Sequence, residues 1–154
     1  MTQIKAVPSG YHTLQPYLIL TNCAEAMDFY GRAFGASEVL RNQAPEGRIR
    51  HAEIRIGDSI VMMADEHPQI GAFSPAHYGG SPVSLLIYVE SCDAVYRQAL
   101  NSGAESLREP ADQSSGDRMG GVRDPFGYSW WIATHVRDIS QAELEAMGST
   151  RDRR

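Results

Sequence analysis

The chain repeats itself. Pro16-Tyr-Leu-Ile-Leu-Thr-Asn-Cys23 and Val83-Ser-Leu-Leu-Ile-Tyr-Val-Glu-Ser-Cys92 both read as an apolar strand running into a helix start, and a displacement of 69 residues sets Cys23 on Cys92, Leu20 on Val89 and Leu18 on Ile87. A fixed-period repeat means one supersecondary unit used twice, each copy unable to bury its apolar face alone. Helical spacing follows in both copies, with Met27, Tyr30 and Phe34 in Ala24–Phe34, then Val95, Ala99 and Leu100 in Asp93–Asn101. Asn22 or Thr21 caps the first helix and Ser91 the second. Gly35-Ala36 and Gly103-Ala104 close them, since glycine takes the left-handed conformation past a helix end at little cost.

The correspondence extends past the helices. Glu38-Val-Leu40 matches Glu105-Ser-Leu107 as a short strand. Arg48–Ile56 alternates, with Ile49, Ala52, Ile54 and Ile56 set against Arg50, His51, Glu53 and Arg55, apart from one slip at 50–51. Gly57-Asp58 then turns into a strand at Ile60–Ala64. In the second half Arg118–Arg123 is the weaker counterpart, Asp124-Pro-Phe-Gly127 the turn and Ser129–Val136 the last strand. Each half therefore reads βαβββ: residues 12–66 and 83–138 of one domain spanning 1–154, with a Pro- and Gly-rich link at 66–82. Within that link Phe73–Pro82 is a lid or merely the connection the duplication requires. Residues 139–154 add a helix from Ser140 to Met147, opened by a Ser140–Glu143 capping box, and Thr150–Arg154 is expected to fray. The fold class is α+β: two βαβββ modules forming a curved mixed sheet around a concave cavity.

Composition excludes several roles. Fourteen Lys and Arg stand against nineteen Asp and Glu, for a net charge of −5, and Lys5 is the lone lysine. Phosphate backbones need clustered positive charge, so no nucleic-acid partner is expected. No run approaches the ~20 apolar residues of a membrane span, and the N-terminus lacks a basic flank before an apolar stretch, so no membrane role is expected either. Cys23 and Cys92 form no disulfide framework or metal pattern, which fits a reducing cytoplasm. Their matched placement beside helix starts reads as packing rather than thiolate chemistry.

Several motifs now converge: Ala26-Met-Asp-Phe-Tyr30, Phe34-Gly-Ala36 and Asp124-Pro-Phe-Gly127 in paired βαβββ modules. In this order the chain resembles the vicinal oxygen chelate superfamily, which includes glyoxalase I, extradiol dioxygenases and bleomycin-resistance proteins. Pro16-Tyr17, His51-Ala-Glu53, Gly116-Asp-Arg118 and Trp130-Trp-Ile-Ala-Thr-His135 are most similar to its PhnB-like branch. The resemblance spans roughly residues 12–138. It implies a homodimer, since many members pair modules across subunits, and a divalent metal held by four side chains from the first and fourth strands of each module.

Counting from the motifs places those positions on Gln15, one of Val61, Met62 or Met63, Ser84 and Trp131. A divalent ion wants three or four His, Asp, Glu or Cys donors, and an indole offers no lone pair. The expectation is a cavity without the family metal and without a cofactor. Gln15, Ser84 and Trp131 then serve as ligand-binding residues. Tyr17 shares the face of Gln15, and Tyr88 lies four residues from Ser84, so both are candidate cavity walls. Arg118, with its planar fork, is a candidate clamp for an anionic group, and the family's aromatic residues before Gly116 are replaced by Ser114-Ser115. His135 shares the face of Trp131, opposite Trp130. His51 and Glu53, two apart on one strand face, are the candidate acid–base pair.

Three readings of function follow. One is a binding protein that holds a small organic molecule in an apolar, aromatic cavity free of metal. Another is an enzyme of the glyoxalase or dioxygenase kind, using metal ligands not identified above or His51 and Glu53. The third is a dimer whose cavities are vestigial.

Overall fold

A computed structural model describes residues 4–151. Among the described residues, eight strands and four α-helices follow the duplicated plan. The first half holds β1 (Tyr17–Leu20), α1 (Cys23–Phe34), β2 (Ser37–Gln43), β3 (Ile49–Ile56) and β4 (Ser59–Asp65). A short helix α2 (Pro75–Tyr78) interrupts the link. The second half holds β5 (Ser84–Tyr88), α3 (Cys92–Ser102), β6 (Glu105–Asp112), β7 (Asp117–Arg123) and β8 (Ser129–His135), with α4 (Gln141–Arg151) after it. Residues 152–154, the last three of the segment expected to fray, lie outside the described residues; positions 150 and 151 are still helical.

Each half forms its own four-stranded mixed sheet, in the orders β1-β4-β3-β2 and β5-β8-β7-β6. The registers agree at a displacement of 69: Tyr17 stands opposite Met62 and Leu86 opposite Trp131, while Ile19 faces Ala64 and Tyr88 faces Ala133. Even the strand-to-helix joints match. Asp65 Oδ1 accepts the Cys23 N–H at 2.7 Å, and Thr134 Oγ1 accepts the Cys92 N–H at 2.8 Å. Asn22 and Ser91 accept from Glu25 and Ala94 N–H as N-caps, and Gly35 (φ 68°) and Gly103 (φ 116°) end the helices in the left-handed region.

One apolar core joins the halves. α1 lies against α3, and Phe29, Tyr30 and Phe34 of α1 meet Phe126 and Trp130 of the second half, with Phe34 and Trp130 centroids 4.7 Å apart. The helix-facing rows are Leu18, Leu20, Ala52, Ile54, Val61 and Met63 in one sheet, and Val122, Trp130 and Ile132 in the other. Residues between them on each strand point to the opposite, concave face.

Two details depart from the sequence reading. The slip at 50–51 is a β-bulge, because Asn42 pairs with His51 while Gln43 pairs with Ile49. β2 and β6 run longer than expected, since both are edge strands whose residues are almost all exposed. With neither face buried they carry no alternation to read, and Pro110 is tolerated in β6 because an edge strand can spare a donor.

Candidate functional site

The parity of β1, β3 and β4 puts Tyr17, His51, Glu53, Arg55 and Met62 on one concave surface. There, four side chains form a hydrogen-bonded row. Tyr17 Oη lies 2.8 Å from His51 Nδ1, His51 Nε2 lies 3.0 Å from Glu53 Oε1, and Tyr11 donates its hydroxyl to Glu53 Oε2 at 2.5 Å. Glu53 is 4% exposed, covered by the segment that carries Tyr11. Burial pushes its carboxyl up, but the bonds from Tyr11 and His51 outweigh that and hold it below the ordinary value. An ionised Glu53 can only accept, so Nε2 carries the proton shared with it. In the tautomer with its proton on Nε2, His51 accepts from Tyr17 at Nδ1. The Tyr11 hydroxyl is held above its usual range by its bond to Glu53, and that of Tyr17 by burial.

The second concave face has its own row. Tyr88 donates to Asp117 Oδ2 at 3.1 Å, while His135 bonds Asp117 Oδ1 at 2.8 Å and Asp138 Oδ1 at 2.9 Å. Those two carboxylates, Asp138 foremost, raise the basicity of His135. The Tyr88 hydroxyl is likewise held up by its bond to Asp117.

A cavity of about 1220 Å³ lies where β5 faces the β3–β4 turn. Leu14, Phe34, Ile60, Leu86 and Trp130 supply apolar walls, and His12, Asp58, Glu90 and His135 supply polar groups. Concave binding sites of drug-sized ligands span ~300–1,000 Å³, so a small organic molecule has room here. No residue of the 66–82 link lines it. That link is pinned elsewhere: Glu66 Oε1 accepts from Ser74 N–H and Oγ, and Pro75 sits so close to Gly127 that a Cβ there would come within 2.8 Å.

Of the residues expected at a site, Tyr88 and His135 line this cavity. Tyr17, His51 and Glu53 come together instead in the row on the first sheet. Arg118 faces the helix layer, where its fork grips Asp93 of α3 through bonds of 2.6 and 2.8 Å and reaches Asp112 at 3.1 Å. Gln15 donates to His12 O at 2.9 Å, and its buried Oε1 has no partner among the described residues. Ser84 is exposed at the start of β5. The indole of Trp131 lies on β7, so close that a Cβ at Gly121 would run into its ring. Tyr11 and Asp138 had no motif or alternation to flag them, and Asp117 stood inside Gly116-Asp-Arg118, where Arg118 alone drew attention. The buried thiols are out of reach for chemistry, since burial raises both and takes that of Cys23 up to about 12.

Register now resolves the fourth position implied for a metal. Met62 pairs with Tyr17 as Trp131 pairs with Leu86, so Met62 is the counterpart of Trp131. The four positions thus offer an amide, a thioether, a hydroxyl and an indole, a donor set that does not fit a divalent cation. Among the described residues no group of three or more His, Cys, Asp or Glu side chains is placed to hold one.

Comparison with known proteins points one way. The sequence profile of the Glyoxalase/Bleomycin resistance protein/Dioxygenase superfamily matches residues 12–132. An uncharacterized protein of Mycobacterium tuberculosis is 39% identical over 140 residues, covering 89% of this chain and 82% of that one. Among solved structures, TioX from Micromonospora sp. ML1 superposes with a TM-score of 0.63 at 25% identity, covering 84% of this chain and 100% of its own. A PhnB protein from Bacillus cereus, titled a putative 3-demethylubiquinone-9 3-methyltransferase, superposes with a TM-score of 0.61 at 21% identity, covering 80% and 99%.

Proposed function

The chain belongs to the glyoxalase/bleomycin resistance protein/dioxygenase superfamily, and on that premise we propose that it binds a small, largely apolar organic molecule in the cavity beside β5, with no resident metal. Within the superfamily we read it as PhnB-like, acting in the cytoplasm as a homodimer. The cavity itself carries the proposal: about 1220 Å³, with aromatic and aliphatic walls and a few polar groups. Mixed walls of this kind gain affinity from burying apolar area and orientation from the polar groups. A thermal-denaturation screen of planar aromatic compounds on chelator-treated protein tests it. A ligand that binds the folded state alone raises the midpoint in a concentration-dependent way, and no shift from any compound counts against the reading.

The row Tyr17–His51–Glu53–Tyr11 favours a second reading, acid–base catalysis. His51 stands between the hydroxyl of the half-exposed Tyr17 and a buried carboxylate, so it can accept a proton through Tyr17 while Glu53 stabilises the imidazolium. Under that reading a His51→Ala chain loses turnover and keeps its affinity for the cavity ligand. Turnover unchanged in both His51→Ala and Glu53→Gln chains dismisses it.

A further inference from the structure

The register of β1 on β4 recurs in β5 on β8 at a displacement of 69, but the side chains beside the cavity do not match. In a parallel pair, each strand bonds its neighbour through alternate residues. On β1 these include Pro16 and Leu20, which accept from Met62 and Glu66 N–H at 2.9 and 3.0 Å, so Ile19 turns its main-chain groups to the free edge. Tyr128 fills that edge. Its hydroxyl accepts the Ile19 N–H at 3.2 Å and donates to Ile19 O at 3.0 Å, with its ring buried against the core.

On β5, Val89 N–H donates to Ala133 O at 2.8 Å, so Tyr88, the counterpart of Ile19, turns its N–H and C=O to the free edge. The counterpart of Tyr128 is Ser59. Its side chain is too short to cross to β5 and bonds Asp58 Oδ1 at 3.0 Å instead. Ser59 and Tyr88 both line the cavity. The void is therefore where a phenol ring is missing from the second copy of the same design.

Resting on the reading of this cavity as a small-molecule site, we infer that its ligand is an uncharged hydroxyarene whose ring takes the place of the absent tyrosine side chain and whose hydroxyl bridges the Tyr88 N–H and C=O. Phe34, Ile60, Leu86 and Trp130 flank the ring. Asp58 and Glu90, with no Lys or Arg among the described residues of the lining, disfavour an anionic ligand. A hydroxyl that must both donate and accept cannot be replaced by an ether.

Calorimetry with 2-naphthol and 2-methoxynaphthalene on the unaltered protein tests the inference. It expects one-to-one binding, with 2-naphthol tighter by about tenfold, as one or two net hydrogen bonds supply. It further expects Ser59→Tyr, folded by circular dichroism, to abolish binding of both. Equal affinities overturn the hydroxyl assignment and leave the cavity reading standing. Binding of neither compound overturns both. Undiminished 2-naphthol binding in a folded Ser59→Tyr chain moves the ligand out of this seat and overturns the inference.

Discussion

Tyr30 of α1 donates its hydroxyl to Asp124 Oδ2 at 2.6 Å, tying the helix of one half to the turn of the other. Asp124 is 3% exposed and accepts three more bonds, from Trp130 Nε1 and from Phe126 and Tyr128 N–H, each at 2.9 Å. A residue read from sequence only as part of a turn is thus the polar hub of the shared core. Asp124→Ala strands four buried donors and is expected to lose roughly 3–5 kcal/mol in urea unfolding. A loss below about 1 kcal/mol would show that the halves do not depend on this hub.

Trp131 rests on Gly121, its cross-strand partner, with no room for a methyl between them. Gly121→Ala should destabilise by about 1–3 kcal/mol through overpacking. Paired with Trp131→Ala, the same change should become nearly neutral, giving a coupling energy of that size in a double-mutant cycle. Additive effects would mean that the indole does not lie where this structure puts it.

Tyr128 closes the β1 edge with two bonds to Ile19. Tyr128→Phe keeps the ring and loses both, so a destabilisation of about 1–3 kcal/mol is expected, with faster amide exchange at Ile19. Naphthol binding beside β5 should not change, which separates the filled edge from the open one.

Stability against pH has two named limbs. The carboxyl of Glu53 is held below its ordinary value, so it contributes stability above that value and loses it as the pH falls through the depressed one. Asp93, bonded to Arg118, and Glu66, bonded to Ser74, act in the same sense. His135 is raised by Asp138 and Asp117, so its contribution is complete below the ordinary histidine value and fades as the pH rises through the raised one. Glu53→Gln should flatten part of the acid limb and His135→Gln the alkaline one in urea unfolding across pH. An acid limb unaltered by Glu53→Gln would contradict the row on the first sheet.

The legible parts of the sequence were those with a buried face. Strand parity separated Trp130 from Trp131 and set His51 and Glu53 on the concave side, because apolar neighbours such as Ala52 and Ile54 fix which side is the core. By the same parity Arg118 belongs to the helix layer, since it shares a face with buried Val122 four residues on. The full extents of β2 and β6 were hidden, as exposed edge strands have no hydrophobic period. Tyr11 was hidden too: its bond to Glu53 spans 42 residues, and only the fold brings its irregular segment over the sheet. Ser59 became informative only once register had set it against Tyr128.

On the proposed reading, the space beside β5 takes an organic molecule without help from a metal. Titrating chelator-dialysed protein with 2-naphthol by calorimetry, alongside a Leu86→Arg chain that places a charged side chain in the cavity, tests it most directly. Saturable one-to-one binding in the native chain and none in the variant is the expected outcome. Binding that is absent until a divalent cation is added, or that is unchanged in Leu86→Arg, would contradict it.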